Sequence, residues 1–533
     1  MELDSYLNFN YNTKINEDFE FNGMIGFAAN QRASDQLFVS ITNLDLPNYY
    51  EISNSAVKPV VDQQNSLRRN FGVYTSLETS YKNRLFLTLT GRNDWSSTLP
   101  VDNNSYFYPS AAISGILIDD NTAFLKLRAG IAKVANDTDI YETESSYRQA
   151  VAGANYGFIN FPFGGVNAYE FDSNLGNNKL KPETTTETEF GLETNLFNKR
   201  VTLDASVYNK KTVDLLFSRD VSAATGFLTQ TANILDLTNK GVELVLSLVP
   251  VDYNNFRWDI NTTFTKNMSN VDRIIDDKTN LELVQSRGVT FNAVLGEPLG
   301  VYKAKVPKKN DAGQYIVDSK GYYVETSEQE SIGTSQRDFV MGLQNKFTYK
   351  NLALSFGFDW KQGGKMYSES KYLAYFTGNG IETTYNNRDT FIIPNSVQEV
   401  IDPDTQEVSY VENTTAINSQ TGTVNSGATV TGFYNSQNNS TIAKDFLIDK
   451  TFVRLRDISL TYNVKSDVLK KLGLSAASLS IYGKNLMLWT PDKNAYVDPE
   501  ISTFGASGIQ SEFGESYGTP SQRTYGTTIK LTF

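Results

Sequence analysis

The chain has 533 residues, no cysteine and no histidine, and a formal net charge of −12. Without cysteine there is no disulfide frame and no thiolate metal site, and without histidine there is no Ser-His-Asp catalysis, histidine-held zinc or histidine-ligated haem. The acidic balance excludes nucleic acid as the main partner, and no stretch reaches the ~18 consecutive apolar residues of a membrane helix.

Segments of roughly ten or more residues that alternate apolar and polar positions recur to the end of the chain. About fifteen such strands are expected, at 2–14, 19–30, 70–81, 84–95, 107–118, 122–135, 185–197, 200–217, 238–249, 256–268, 339–349, 352–363, 452–464, 476–489 and 522–533. Phe19, Phe21, Ile25 and Phe27 share a face, as do Leu352, Leu354, Phe356, Phe358 and Trp360. Leu85, Leu87 and Leu89 oppose Thr88, Thr90, Arg92 and Asp94. A period of two with one apolar side is a strand with one dry and one wet face.

Connection lengths alternate. Short turns fall at 15–18, 82–83, 119–121, 198–199, 251–255, 350–351 and 465–475. Long loops fall at 31–69, 96–106, 136–184, 218–237, 269–338, 364–451 and 490–521. The pattern is that of an all-β, antiparallel transmembrane β-barrel with short periplasmic turns and long extracellular loops. The longest loops are rich in Asn, Ser, Thr, Gly and Tyr, as in Thr377–Asn439; loops of this length are expected to be functional or disordered. By parity the first and last strands run the same way, so they are not expected to pair as an ordinary antiparallel seam. Residues 1–533 are therefore expected to be the carboxyl-terminal part of a larger barrel, with an unpaired edge at the last strand.

Several residues are candidates for function. Trp95, Trp258, Trp360 and Trp489 all fall on the lipid-facing set, as a membrane girdle would. Glu187, Glu189 and Glu193 share a strand face, and the turn at Asn198–Lys199 sets them opposite Lys210, Tyr208 and Asp204. They form either a lumen wall that touches substrate or a solvated charge ladder. Acid–base catalysis is not expected of carboxylates in a wide lumen with no closed, pKa-shifting pocket. Arg92 and Asp94 face inward near the outer rim, placed to order the next loop or touch cargo. Tyr106, Phe107 and Tyr108 suit sugar stacking or interface anchoring. Lys308-Lys309 and Lys470-Lys471 are short basic pairs, the second in a turn where Ser466–Leu472 suits one helical turn. Asp402-Pro403-Asp404 and Asp498-Pro499-Glu500 carry hard oxygen ligands but lack EF-hand spacing and read as turn formers. No catalytic, metal or cofactor site is assigned, and an enzyme is not expected.

Gly91-Arg92-Asn93-Asp94-Trp95-Ser96-Ser97-Thr98-Leu99-Pro100, followed by Tyr106-Phe107-Tyr108-Pro109-Ser110, resembles the barrel of the SusC/RagA family of TonB-dependent outer-membrane transporters of Bacteroidetes. So do Leu180-Lys181-Pro182-Glu183-Thr184-Thr185, Asn239-Lys240-Gly241-Val242-Glu243-Leu244, Gly296-Glu297-Pro298-Leu299-Gly300-Val301-Tyr302, Phe452-Val453-Arg454-Leu455-Arg456-Asp457, Tyr482-Gly483-Lys484-Asn485-Leu486 and Asp498-Pro499-Glu500. The resemblance implies a plugged barrel of about 22 strands, with the plug, TonB box and first strands outside this chain. It implies import of oligosaccharides or peptides across the outer membrane. A SusD-like lipoprotein would dock on the extracellular loops, and the TonB complex would act through the plug. It also makes the terminal aromatic pattern, Tyr525 and Phe533, an assembly signal. The alternatives are a passive porin-like or structural barrel, and a soluble, secreted β-rich adhesin or carbohydrate-binding protein.

Overall fold

The computed structural model describes residues 1–154, 157–161, 163–419, 428–437, 439–464, 469, 473–492, 494, 497–503 and 509–533. Its main element is a 15-stranded sheet whose strand order follows the chain. The strands are β1 Glu2–Lys14, β2 Phe19–Ser40, β3 Val60–Tyr81, β4 Leu85–Ser96, β5 Ser105–Asp119, β6 Ala123–Asn136, β7 Glu183–Leu196 and β8 Val201–Asp220, then β9 Thr229–Tyr253, β10 Phe256–Ile274, β11 Phe339–Tyr349, β12 Leu352–Gln362, β13 Phe452–Asn463, β14 Ala476–Trp489 and β15 Thr524–Thr532. Every expected segment is one of these strands. In that order, among the described residues, β1 neighbours only β2, and β15 only β14.

The hairpins close on residues that tolerate positive φ. Lys82 and Asn83 sit at 52° and 53°, and Asn254 and Asn255 at 49° and 64°, as tight turns matched to strand twist require. Four strands clearly outrun the expectation: β2 continues to Ser40, β3 starts at Val60, β9 starts at Thr229 and β10 continues to Ile274. The β2–β3 extension mixes polar pairs, such as Asp35↔Asn65 and Gln36↔Gln64, with unalternating ones, such as Phe38↔Asp62 and Val39↔Val61. Backbone hydrogen bonds carry the ladder on after the apolar alternation has stopped, so hydropathy marks the amphipathic stretch and not the strand. The turn expected at Ser466–Leu472, with Lys470-Lys471, lies outside the described residues except for Leu469.

The chain divides into two compact units. The first comprises Met1–Asp119, Leu125–Gly191 and Tyr208–Thr238. Its registers align Leu7, Phe27, Val73 and Asn93 in one row, and Phe9, Ile25, Thr75 and Gly91 in the next. Leu77 lies across from Leu89, and Leu87 across from Ile113. This face stays bare: Phe9 is 69% exposed, Ile25 61% and Phe107 57%. The opposite face carries Asn8, Tyr74, Arg92 and Asp94. A ladder that leaves its apolar side uncovered while its charged side is partly buried is inverted with respect to a water-soluble sheet.

The second unit comprises Asp120–Phe124, Leu192–Val207 and Asn239–Phe533. The same inversion holds in its ladder, where Leu352, Tyr462, Leu479 and Ile529 form one row and Trp360, Val453 and Trp489 another. Its long loops are not featureless. Asn280–Ser286, Val289–Val294, Val301–Ala304 and Glu330–Thr334 form a four-stranded sheet. Tyr315–Val317, Ser396–Ile401 and Val408–Glu412 form a second sheet, and Lys365–Ser368, Leu447–Asp449 and Gly514–Glu515 a third. Helix α1, Glu369–Phe376, is capped by Ser368, whose Oγ accepts the Lys371 amide. Phe291, Tyr302, Tyr367, Tyr372, Tyr375, Phe446 and Phe513 form one buried core with the first and third of these sheets and α1, and Val317, Ile393, Ile417 and Val430 form another with the second. Of the two expectations for the long loops, functional or disordered, the described parts do not fit disorder: apolar side chains drawn from three separate loops give them a core of their own. Gly300 shows how tight it is. Its φ is +94°, and a Cβ there would stand 2.6 Å from the Phe291 ring.

Candidate functional site

The polar face of the first unit gathers the sequence candidates into two neighbouring groups. In the first group β4 and β5 place Arg92 opposite Tyr108 and Asp94 opposite Tyr106. Arg92 Nε donates to both Asp94 oxygens, at 2.8 and 3.0 Å, and the Tyr108 hydroxyl donates to the same carboxylate. Tyr106 and Tyr108 stack at 6.1 Å, and the Arg92 guanidinium lies 5.3 Å from the Tyr74 ring. Gly72 makes room for this, since a Cβ there would fall 1.9 Å from Asp94 Oδ1. Just beyond, Asp137 pairs with Arg68 and accepts from Ser96 and from Thr98, the latter at 3.0 Å. Asp137 with Arg68, Ser96 and Thr98 thus pins the start of the loop after β4, Arg92 and Asp94 form a separate group beside it, and the Tyr106–Tyr108 stack is half open.

The second group lines a cavity of about 510 Å³. Its floor is small, with Ser110, Ala112, Ser114, Gly130 and Ala132; its charged wall carries Lys126, Arg128, Glu187, Glu189 and Lys210. Arg128 Nε lies 3.3 Å from Glu189. Thr185 and Thr212 share a hydrogen bond of 2.8 Å, and Thr202 donates to Asn195 at 2.7 Å. Both contacts fit the expected offset that sets Glu187 across from Lys210. Glu193 is not among the lining residues.

A third site, in the second unit, joins segments that the alternation kept apart. Arg456 sits at a β-bulge: β13 skips it in pairing with both β12 and β14. Its Nη2 and Nη1 donate to the two Glu500 oxygens at 2.8 and 3.0 Å, and its Nε to Asp359 at 2.6 Å. Nη1 also reaches Asn485, whose φ is +53°. Arg454, only 2% exposed, pairs with Asp498 and lies 3.5 Å from Glu500, while Lys361 reaches Glu500 at 3.1 Å. Burial alone would raise the Glu500 carboxyl, but hydrogen bonds from Arg456 and Lys361 outweigh it and hold the group at about 2. Asp498 and Glu500 do form a turn, in which Asp498 accepts the Glu500 amide at 3.0 Å and the Ile501 amide at 3.1 Å, and both carboxylates also pair with arginine. Asp402 does form a turn, accepting the Asp404 and Thr405 amides at 2.8 Å each.

The family model for the TonB-dependent receptor-like β-barrel matches residues 3–486. The chain belongs to that family. It is similar to TonB-dependent receptor P26 of Formosa agariphila, 28% identical over 98% of this chain and 52% of that protein. It is also similar to TonB-dependent receptor SusC of Bacteroides thetaiotaomicron, 28% identical over 55% of this chain and 31% of that protein. The chain spans about half the length of the curated relatives first matched. Among solved structures, that of the RagAB peptide transporter superposes with a TM-score of 0.74 at 16% identity, covering all of this chain and 55% of that one. The fold is thus that of the SusC/RagA type, and the protein is an outer-membrane β-barrel protein.

The four candidate girdle tryptophans lie along the apolar rows of the sheet. Trp95 stacks on Phe71 at 5.0 Å and Trp258 on Phe347 at 5.4 Å, each across a strand pair. Trp360 and Trp489 are 40% and 48% exposed. Tyr525 lies across from Gly483 on β14, on the row of Phe356 and Ile458. Sequence alternation missed the Arg454/Arg456–Asp498/Glu500 junction. A usable signal was present: two arginines and two acids, each spaced by two residues, can face each other pairwise.

Proposed function

We propose that this chain supplies the wall and outer loops of a transporter that imports oligosaccharide or peptide cargo across the outer membrane. The observation that carries this reading is the inverted sheet, with bare apolar rows on one face and a charged, cavity-bearing wall on the other. The residues Arg92, Asp94, Tyr106, Tyr108, Glu187 and Glu189 then form part of the path that cargo follows. The folded loops of the second unit offer a preformed surface for a SusD-like surface lipoprotein, and energy from TonB enters through a plug outside residues 1–533. Trp95, Trp258, Trp360 and Trp489 anchor the sheet at the membrane interfaces, and Tyr525 with Phe533 marks it for assembly.

The test is uptake in the host with and without this gene, using labelled neutral oligosaccharides and labelled peptides, each with TonB active and depleted. Loss of uptake of one cargo class in both the deletion and the TonB-depleted strain is the expected result. Unchanged uptake, together with a stable open conductance of the purified chain in planar bilayers, would replace the transporter reading with a passive pore.

A further inference from the structure

Where β11, β12 and β13 leave the sheet for the loops of the second unit, a cavity of about 170 Å³ is lined by three cations, Arg337, Lys361 and Lys450, and two acids, Glu500 and Glu512. The acids are already engaged. Glu500 serves Arg456, Lys361 and Arg454, and Glu512 lies 2.8 Å from Lys450 Nζ. The two neighbouring pairs, Arg454–Asp498 and Arg456–Asp359, are likewise matched. Arg337 is the odd one. Its Nη1 donates to the Lys450 carbonyl at 2.8 Å, and no carboxylate among the described residues reaches it as an ion pair. Arg337, Lys361 and Arg454 also stand 5.3–5.8 Å from the centre of one ring, that of the buried Phe452. The Nε of Arg454 is buried without an acceptor.

A guanidinium partly withdrawn from water with no carboxylate in contact is costly unless an anion compensates it. We propose that this cavity binds a small oxyanion group, a sulfate, phosphate or carboxylate, between Arg337 and Lys450. A planar guanidinium beside an ammonium matches the geometry and charge of such a group, and the cavity has room for several water-sized groups. Burial depresses both the Lys450 ammonium and the Arg337 guanidinium below their ordinary ranges, the direction that an anion would reverse. The oxyanion could arrive as a free ion or as a group on cargo. The site stands independently of the transport reading.

The test is calorimetric titration of the purified full chain in detergent with sodium sulfate, at ionic strength held constant with chloride. Saturable sulfate binding is expected, weakened about tenfold or more in R337Q, which removes a charge-assisted contact. Because R337Q could disturb the loops, E512Q is the second arm: deleting the competing, exposed carboxylate is expected to tighten sulfate severalfold. Absence of saturable sulfate binding in the unaltered chain, or equal affinity in all three proteins, would overturn the proposal. Repeating the titration with a sulfated oligosaccharide and its neutral counterpart identifies the source. Competition by the sulfated form alone assigns the site to cargo, and competition by neither assigns it to a free ion.

Discussion

Arg456 grips Glu500 with two guanidinium nitrogens, at 2.8 and 3.0 Å, and so ties a bulge in strand β13 to the last long loop. The geometry is the two-pronged one that Arg makes with carboxylates, and it is half shielded from solvent. Asp359 and Lys361 on the neighbouring strand complete it.

The first prediction concerns pH. The Glu500 carboxyl is held at about 2, below its ordinary value of 4.5. A depressed acid contributes stability that is present above the ordinary value and is lost as pH falls through the depressed one. Limited proteolysis of the loop by an acid-active protease should therefore be slow at pH 5 and rise progressively between about pH 4.5 and about 2. In E500Q it should already be fast at pH 5, with a local cost of roughly 1–2 kcal/mol for this half-exposed junction.

The second prediction concerns the loop core. The hydroxyl of Tyr302, a fully buried residue, donates to the Phe513 carbonyl at 2.6 Å and to the Glu512 carbonyl at 3.0 Å. Y302F should destabilise the loops by about 1–2 kcal/mol, and F513A by about 3–5 kcal/mol. Hydrogen exchange should show the loss in 289–304 and 509–515, with the strands of the sheet unchanged.

The rim network gives the third prediction. Asp94, 9% exposed, takes hydrogen bonds from both Arg92 and Tyr108. D94N should loosen the β4–β5 rim at Arg92 and Tyr108 and cost about 2–3 kcal/mol in urea unfolding from vesicles. G72A should have a similar effect, because its Cβ would occupy the place of Asp94 Oδ1.

The regular sheet was legible because its pattern is local. Each strand states its own two faces, so β1, β11 and β14 fall at the expected residues. The loop core was not legible, because Phe291, Tyr302, Tyr367, Phe446 and Phe513 come from distant segments with no shared period. The charged wall stood in between. The offset that sets Glu187 across from Lys210 followed from one turn, but the cavity they share depends on the small floor of Ser110, Ala112 and Gly130 contributed by β5 and β6. The bulge at Arg456 defeats alternation outright, since it returns Asp457 to the face of Gly357 and Asp359.

A fourth prediction tests which face meets lipid. L87R on the apolar rows should cost about 2–4 kcal/mol in vesicle unfolding, whereas T88R on the polar face should cost much less.

The central claim is that successive residues of β4 look alternately into lipid and into a watery path. Because the chain has no cysteine, single cysteines at 85–90 can each carry a spin label in lipid vesicles. The account predicts that labels at Leu85, Leu87 and Leu89 are reached by dissolved oxygen, and those at Phe86, Thr88 and Thr90 by a water-soluble nickel chelate. Uniform access of the nickel chelate to all six positions would contradict it.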